Sequence, residues 1–188
     1  MTKRYETIVK AILFSLATSG TITLAALSPR VASSFFKYLR KQGKLEELDD
    51  RRKFLSALYR LKKSRLLIVS EKKGGNFKIE LTHAGKRKVQ EIQYETLQIP
   101  KPKKWDGVWR IVMFDIPKLK NKARDALRQK LKSLGFLQFQ ESAWVFPHPC
   151  NKEVEFLVEL FRIYPFVQII EATKIQNDLA LKKHFKLF

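Results

Sequence analysis

WDGVWRIVMFDIP (105–117), KLKNKARDALRQKLKS (118–133) and LGFLQFQESAWVFP (134–147) are three consecutive runs with different hydrophobic patterns. The first is almost wholly apolar until Asp115, and Pro117, which has no amide hydrogen to donate, ends any sheet ladder. In the second, Ala123, Leu127, Leu131 and then Leu134 recur at helical spacing. Gly135 follows where a helix stops, since glycine takes the left-handed conformation without steric cost. The third run holds two short apolar strands around the polar patch Gln140-Glu141-Ser142. Strand, crossover helix and hairpin make the first half of a split βαβ unit, with a single carboxylate, Asp115, at the strand exit.

Working outward, Val154, Leu157, Val158 and Phe161 predict a helix over 151–163 facing the sheet, with Asn151 as its cap. A strand over 166–172 follows, then a short helix from about residue 177. The order from 105 to 188 is therefore βαββαβ. Pro100 and Pro102 with Lys101, Lys103 and Lys104 make 99–104 a linker, extended and solvated. Residues 1–98 form the domain before it. Helices are predicted over 3–18, 29–42 and 49–64, the last capped by Asp49 or Asp50. A hairpin follows, from Leu66-Leu67-Ile68-Val69 through Lys72-Lys73-Gly74-Gly75-Asn76 to the alternating Phe77, Ile79 and Leu81, where Gly-Gly supplies the positive φ of a tight turn. Thr82 caps one more helix, to about 97. The class is α+β, with three helices and a basic hairpin forming a winged helix-turn-helix domain in front of the βαββαβ domain.

Lys plus Arg number 38 against 18 Asp plus Glu, a formal charge of +20. Residues 1–100 carry 21 basic and 9 acidic side chains and residues 101–188 carry 17 and 9, so the excess runs through the whole chain. Such a field selects a polyanionic partner, nucleic acid before an acidic membrane surface. Apolar content of 45% with 14 phenylalanines argues against a disordered basic tail. Cys150, the sole cysteine, can form no internal disulfide, as fits a reducing cytoplasm. Ala11 to Pro29 is free of charge, yet Ser15, Thr18, Ser19, Thr21 and Thr23 cut the apolar run well short of the roughly 20 residues of a membrane span. Ile8, Ile12 and Leu16, joined by Val9 and Leu13, predict a buried first helix instead, and no membrane partner is expected.

In the stretch 49–64, Phe54, Leu58 and Leu61 share one face, and Arg52, Ser56, Tyr59, Arg60 and Lys63 lie opposite. A helix with an apolar back and a basic front suits the major groove of double-stranded DNA, with Lys72, Lys73, Asn76 and Lys78 on a wing that reaches phosphates or the minor groove. A solvated helix face, or a winged helix used for protein contacts, shares this pattern. Arg124, Arg128 and Lys132 step by four along the crossover helix, either as secondary phosphate contacts or as a solvated face.

Asp115 ends a strand, where α/β sheets commonly place ligands. One carboxylate cannot hold a divalent ion, and Asp125 is about two helical turns further on. A dimer two-fold that brings two copies of Asp115 together could hold Mg²⁺ or Mn²⁺ and make Asp115 catalytic. A turn or helix-entry acid is the other reading. His148 with Cys150 is a lone pair without further ligands, so no metal centre or cofactor is expected otherwise. Trp105, Trp109 and Trp144 are expected to pack the sheet or a dimer seam.

VWRIVMFDIP, KARDALRQKLKSLGF and QESAWVFP resemble the CRISPR-associated endonuclease two family. They also resemble the central domain of the phenylacetate-degradation repressor (PaaX-like) family, which shares its ferredoxin-like fold. With a winged helix in front, the PaaX-like arrangement is the closer. That resemblance implies a cytoplasmic homodimer, a repressor without catalysis that binds operator DNA through its winged helices and dimerises through its ferredoxin-like domains. PaaX-like proteins carry a further carboxy-terminal domain to which these 188 residues do not extend, so the resemblance names no effector. Lys118-Leu119-Lys120 stands where the CRISPR family is more acidic, which opposes a cation and favours phosphate. The alternatives are a metal-dependent nuclease using Asp115 and a non-catalytic scaffold for a CRISPR integrase.

Overall fold

A computed structural model describes residues 3–25, 36, 37, 41, 51–72 and 76–187. Of the helix expected over 29–42, Phe36, Lys37 and Lys41 are described and helical; the remainder, the caps Asp49 and Asp50, and the turn residues Lys73, Gly74 and Gly75 lie outside the described residues. The chain divides into two units, Met1–Glu95 and Thr96–Phe188.

In the first unit, helix α1 (Lys3–Ser19) buries Ile8, Ile12, Leu13 and Leu16, the stripe its spacing predicts. Strand β1 (Thr21–Ala25) follows. Helix α2 (Arg51–Lys63) places Phe54, Ala57 and Leu61 in the same core, and Phe36 meets Phe54 edge to face at 5.7 Å. At its end the Leu66 amide donates to the Leu61 carbonyl at 3.0 Å, and Arg65 takes a positive φ of 55°, turning the chain into β2 (Leu67–Lys72). β2 pairs antiparallel with β3 (Asn76–Leu81), which also pairs with β1, giving the sheet order β1-β3-β2. Thr82 caps helix α3 (His83–Thr96) as expected, its Oγ1 accepting the Gly85 amide at 2.9 Å.

β1 corrects the sequence reading, which took Thr21 and Thr23 only as interruptions of an apolar run. Thr-Ile-Thr-Leu alternates at the period of a strand, and pairing with β3 from Thr21↔Glu80 to Ala25↔Asn76 gives it a ladder its own residues could not announce.

The second unit is a four-stranded antiparallel sheet in the order β5-β6-β4-β7, built from β4 (Trp109–Phe114), β5 (Leu137–Gln140), β6 (Ala143–Phe146) and β7 (Val167–Ala172). Helix α4 (Asn121–Ser133) connects β4 to β5 and α5 (Asn151–Phe161) connects β6 to β7, so each βαβ unit is split by a strand of the other. This is the ferredoxin-like arrangement the βαββαβ order implies. Gly135, at φ 92°, ends α4. Its amide reaches the Lys132 carbonyl and the Phe136 amide the Leu131 carbonyl, at 3.1 and 3.0 Å. These are the paired bonds of a Schellman motif, and they deliver Phe136 onto Phe146 with ring centres 4.7 Å apart.

Val112, Phe114, Trp144 and Phe146 are buried on one face; burying a Phe or Leu side chain fully contributes about 1.5–3 kcal/mol. Among the described residues the opposite face is covered at one end only, where Trp109 and Val145 pack with Leu181 and Phe185 of helix α6 (Leu179–Phe185). Two expectations need correction. Asn151 is the first helical residue of α5 rather than its cap; Cys150 holds the cap position without a side-chain bond. β5, read as a short apolar strand, is a largely exposed edge strand: Gln138 faces water, Phe139 is 46% exposed, and the β5–β6 register slips between Gln138 and Gln140. An edge strand carrying a bulge resists pairing with strangers, which explains polar residues there.

Candidate nucleic-acid interface

On α2, Arg52, Ser56, Tyr59, Arg60 and Lys63 are all exposed on one side, directly opposite the buried Phe54, Ala57 and Leu61. Tyr59 is 68% exposed, a large ring that the core does not claim. Arg60 stands with its guanidinium 5.4 Å from the centre of the Tyr5 ring on α1, which steadies that side chain without neutralising it. Three cations, a hydroxyl and a phenol thus sit on a helix whose mirror face anchors the core.

The hairpin residues fare differently. Lys72 and Asn76 are register partners at the open end of the β2–β3 ladder, which places both beside the turn, and Lys73 lies outside the described residues. Lys78 lies further down β3 and is committed to Glu80 through a 2.7 Å ion pair. It is therefore a weaker phosphate ligand than its position in the sequence implied.

Asp115 is exposed just beyond β4, its amide donating to the Phe166 carbonyl at 2.9 Å. With Gln140, Glu141, Ser142 and Gln168 it lines an open cleft of about 540 Å³ at the end of the sheet. Glu141 is the residue that sequence reasoning missed. The tertiary pairing places it there: β6 runs antiparallel to β4 with Met113 opposite Ala143, so the turn before Ala143 lies beside the β4 exit. Asp125 is elsewhere, 3.7 Å from Arg124 Nε. The cleft offers carboxylate oxygens, the donor type a hard divalent ion takes, but two carboxylates fall short of the about six oxygen ligands such an ion needs. Among the described residues no group of three or more His, Cys, Asp or Glu side chains is placed to hold a metal.

Arg110 occupies the other end of β4. Its side chain, 6% exposed, forms a two-pronged pair with Asp106 at 2.7 and 2.6 Å and also donates to the carbonyls of Val108 and Pro147. The guanidinium's hydrogen bonds hold the Asp106 carboxyl down at about 2. Nearby, burial pushes the Cys150 thiol up to about 12, which disfavours the thiolate that nucleophilic or metal chemistry needs, and lowers His148 toward the neutral imidazole. Trp109 and Trp144 are buried in the sheet and Trp105 packs at 4.7 Å on Trp109, as expected of packing residues.

Along α4, Lys132 is exposed and Arg124 and Arg128 are half-buried, with Leu127 and Leu131 turned to the core. No helix among the described residues is long and apolar enough to cross a membrane.

The second unit thus defines a ferredoxin-like domain with a strand-end carboxylate and a basic crossover helix. Residues 102–183 match the family model described as the PaaX protein central Cas2-like domain. No curated protein matches the chain at a significant level.

Proposed function

We propose that this protein is a homodimeric, sequence-selective double-stranded DNA-binding transcriptional regulator of the PaaX-like kind, a repressor acting without catalysis. The observation that carries the reading is α2, whose buried apolar back and exposed Arg52, Ser56, Tyr59, Arg60 and Lys63 accompany a PaaX-type central domain. The three-stranded sheet β1-β3-β2 beside α1 and α2 supports a winged helix, with α2 as the reading helix and the β2–β3 turn as the wing. On this reading Arg52 and Arg60 address base edges or phosphates in the major groove, Tyr59 packs against the sugar-phosphate wall, and Lys72, Lys73 and Asn76 reach the flanking backbone. Two copies joined through their ferredoxin-like domains place two such helices on an inverted repeat. The sheet face that leaves Met113 and Ile170 exposed is the surface assigned to that contact.

The cleft shared by Asp115 and Glu141 favours one second reading, a nuclease in which a dimer pools carboxylates around Mg²⁺ or Mn²⁺. Lys118 and Lys120, close after Asp115 in the chain, oppose it by raising the local positive potential. A single experiment separates the two: footprinting on DNA from the gene's upstream region, with scrambled competitor at near-physiological salt, in EDTA and in Mn²⁺. Protection of a short inverted repeat in EDTA with the DNA intact in Mn²⁺, lost when Arg52 and Arg60 are both changed to Glu, is the expected result. Metal-dependent cutting that disappears in Asp115→Ala, with no protected site, would replace this function with the nuclease.

A further inference from the structure

We propose that helix α4, with the 3₁₀ turn Lys118–Lys120 before it, is a second and sequence-independent contact for the phosphodiester backbone of duplex DNA. The choice of DNA rests on the function proposed above; the surface itself is argued from charge and exposure.

Residues 118–132 hold seven cations and one carboxylate, Asp125. That carboxylate is already 3.7 Å from Arg124. Lys120 is also occupied, its ammonium donating to the Arg162 carbonyl at 2.7 Å and lying 5.4 Å from the centre of the Phe166 ring. Lys130 is buried. Lys118, Lys122, Arg128 and Lys132 remain, with no carboxylate in their own segment left to balance them. All but Arg128 are exposed, and Arg128 is half-buried.

The neighbouring helix has the opposite character. α5 carries Glu153, Glu155 and Glu159 against Lys152 alone. One helix of the layer is thus positive and the other negative, a separation that solvating the sheet does not require. Two anionic partners are conceivable, a phosphate backbone and the α5 face of a second copy. The second would set a net charge of −2 against +6 and leave most of the cations unmatched. Duplex DNA matches better. From Lys122 to Lys132 the helix rises about 15 Å, a distance over which a DNA strand, advancing about 3.4 Å per phosphate, presents four to five charges.

The test uses the full chain with Lys122, Arg128 and Lys132 all changed to Gln, and follows fluorescence anisotropy of duplex DNA, scrambled and operator-bearing, from 50 to 200 mM NaCl. Removing three phosphate contacts should flatten the slope of log affinity against log salt by about 2.7, so the wild type loses about 40-fold more affinity across that range than the variant. The preference for operator over scrambled DNA should be unchanged, and Lys122→Arg with Lys132→Arg should keep the wild-type slope. An unchanged slope in the Gln variant, or a loss of salt-sensitive self-association in its place, overturns the proposal. Wild-type binding that shows no operator preference, yet weakens in the Gln variant as stated, would sink the regulator reading and leave this surface standing. No affinity for any duplex overturns both.

Discussion

Arg110 shows how one buried charge constrains a whole strand. Removing a guanidinium from water is costly, and here the cost is offset by Asp106 and by two backbone carbonyls, Val108 and Pro147. Glu171, opposite Arg110 in the β4–β7 register, adds a longer contact at 3.8 Å. Because the Asp106 carboxyl is held at about 2, below its unfolded value near 3.8, its contribution is complete above that unfolded value and fades as pH falls from about 4 to about 2. Asp106→Asn should therefore destabilise the second unit at pH 7 by about 1–2 kcal/mol, a figure reduced for screening because Asp106 is 42% exposed. The gap between the two proteins should shrink as pH approaches 2. Thermal unfolding at pH 7, 4 and 2.5 checks this, and a constant gap would show that Asp106 stabilises by packing rather than by charge. The other singular residue, Asp115, was legible as a strand-end acid from Pro117 and the apolar run before it. Its companion Glu141 was not, because nothing in a linear reading measures distance across a hairpin.

At the scale of elements, the junction of α2, β2 and α3 leaves no room for an added side chain at Gly85. Gly85 lies in the first turn of α3, where a β-carbon would meet the Leu66 carbonyl oxygen at 2.1 Å. That oxygen also accepts the Thr82 amide at 3.1 Å, while Thr82 Oγ1 donates to the Arg65 carbonyl at 2.7 Å. The obstacle is backbone held at both ends and cannot rotate aside. Gly85→Ala is expected to cost about 2–3 kcal/mol through overpacking, despite alanine's better helix propensity, whereas exposed Lys86→Ala should change stability by less than about 0.5 kcal/mol. Denaturant titration of both variants gives the comparison; a neutral or stabilising Gly85→Ala would mean that α3 shifts freely on β2. Propensity alone would have ranked these two changes the other way round.

For the whole molecule, the consequential surface is the half-covered outer face of the second sheet. α6 shields the Trp109 end, aided by the Trp109 indole nitrogen donating to Asp178 at 3.3 Å and by Lys182 pairing with Asp178 at 3.0 Å. The far end leaves Met113 and Ile170 44% and 40% exposed. Under the proposed function this face joins two copies, so placing lysine at both positions sets like charges against each other across a two-fold. Met113→Lys with Ile170→Lys should raise the dimer dissociation constant by roughly 100-fold, as at a central apolar contact, with the circular dichroism spectrum unchanged. Sedimentation equilibrium across a concentration series reads the effect. A wild-type chain that stays monomeric, or a variant that dimerises equally well, would move the two-fold elsewhere.

By itself the sequence determined the features whose information is local. The period-four stripes of α1 and α4, the apolar runs of β4 and β6, the Thr82 cap and the glycine stop at Gly135 all express propensity and pattern within about one turn or one strand. Together they specified the βαββαβ order, and with it the ferredoxin-like domain. Only the tertiary structure decided what depends on residues far apart in the chain. It made Thr21–Ala25 a strand, placed Glu141 in the cleft with Asp115, and gave Lys78 to Glu80. The physical reason is that hydrogen-bond ladders, ion pairs and electrostatic fields depend on distance in space, whereas periodicity records only which side of an element must leave water.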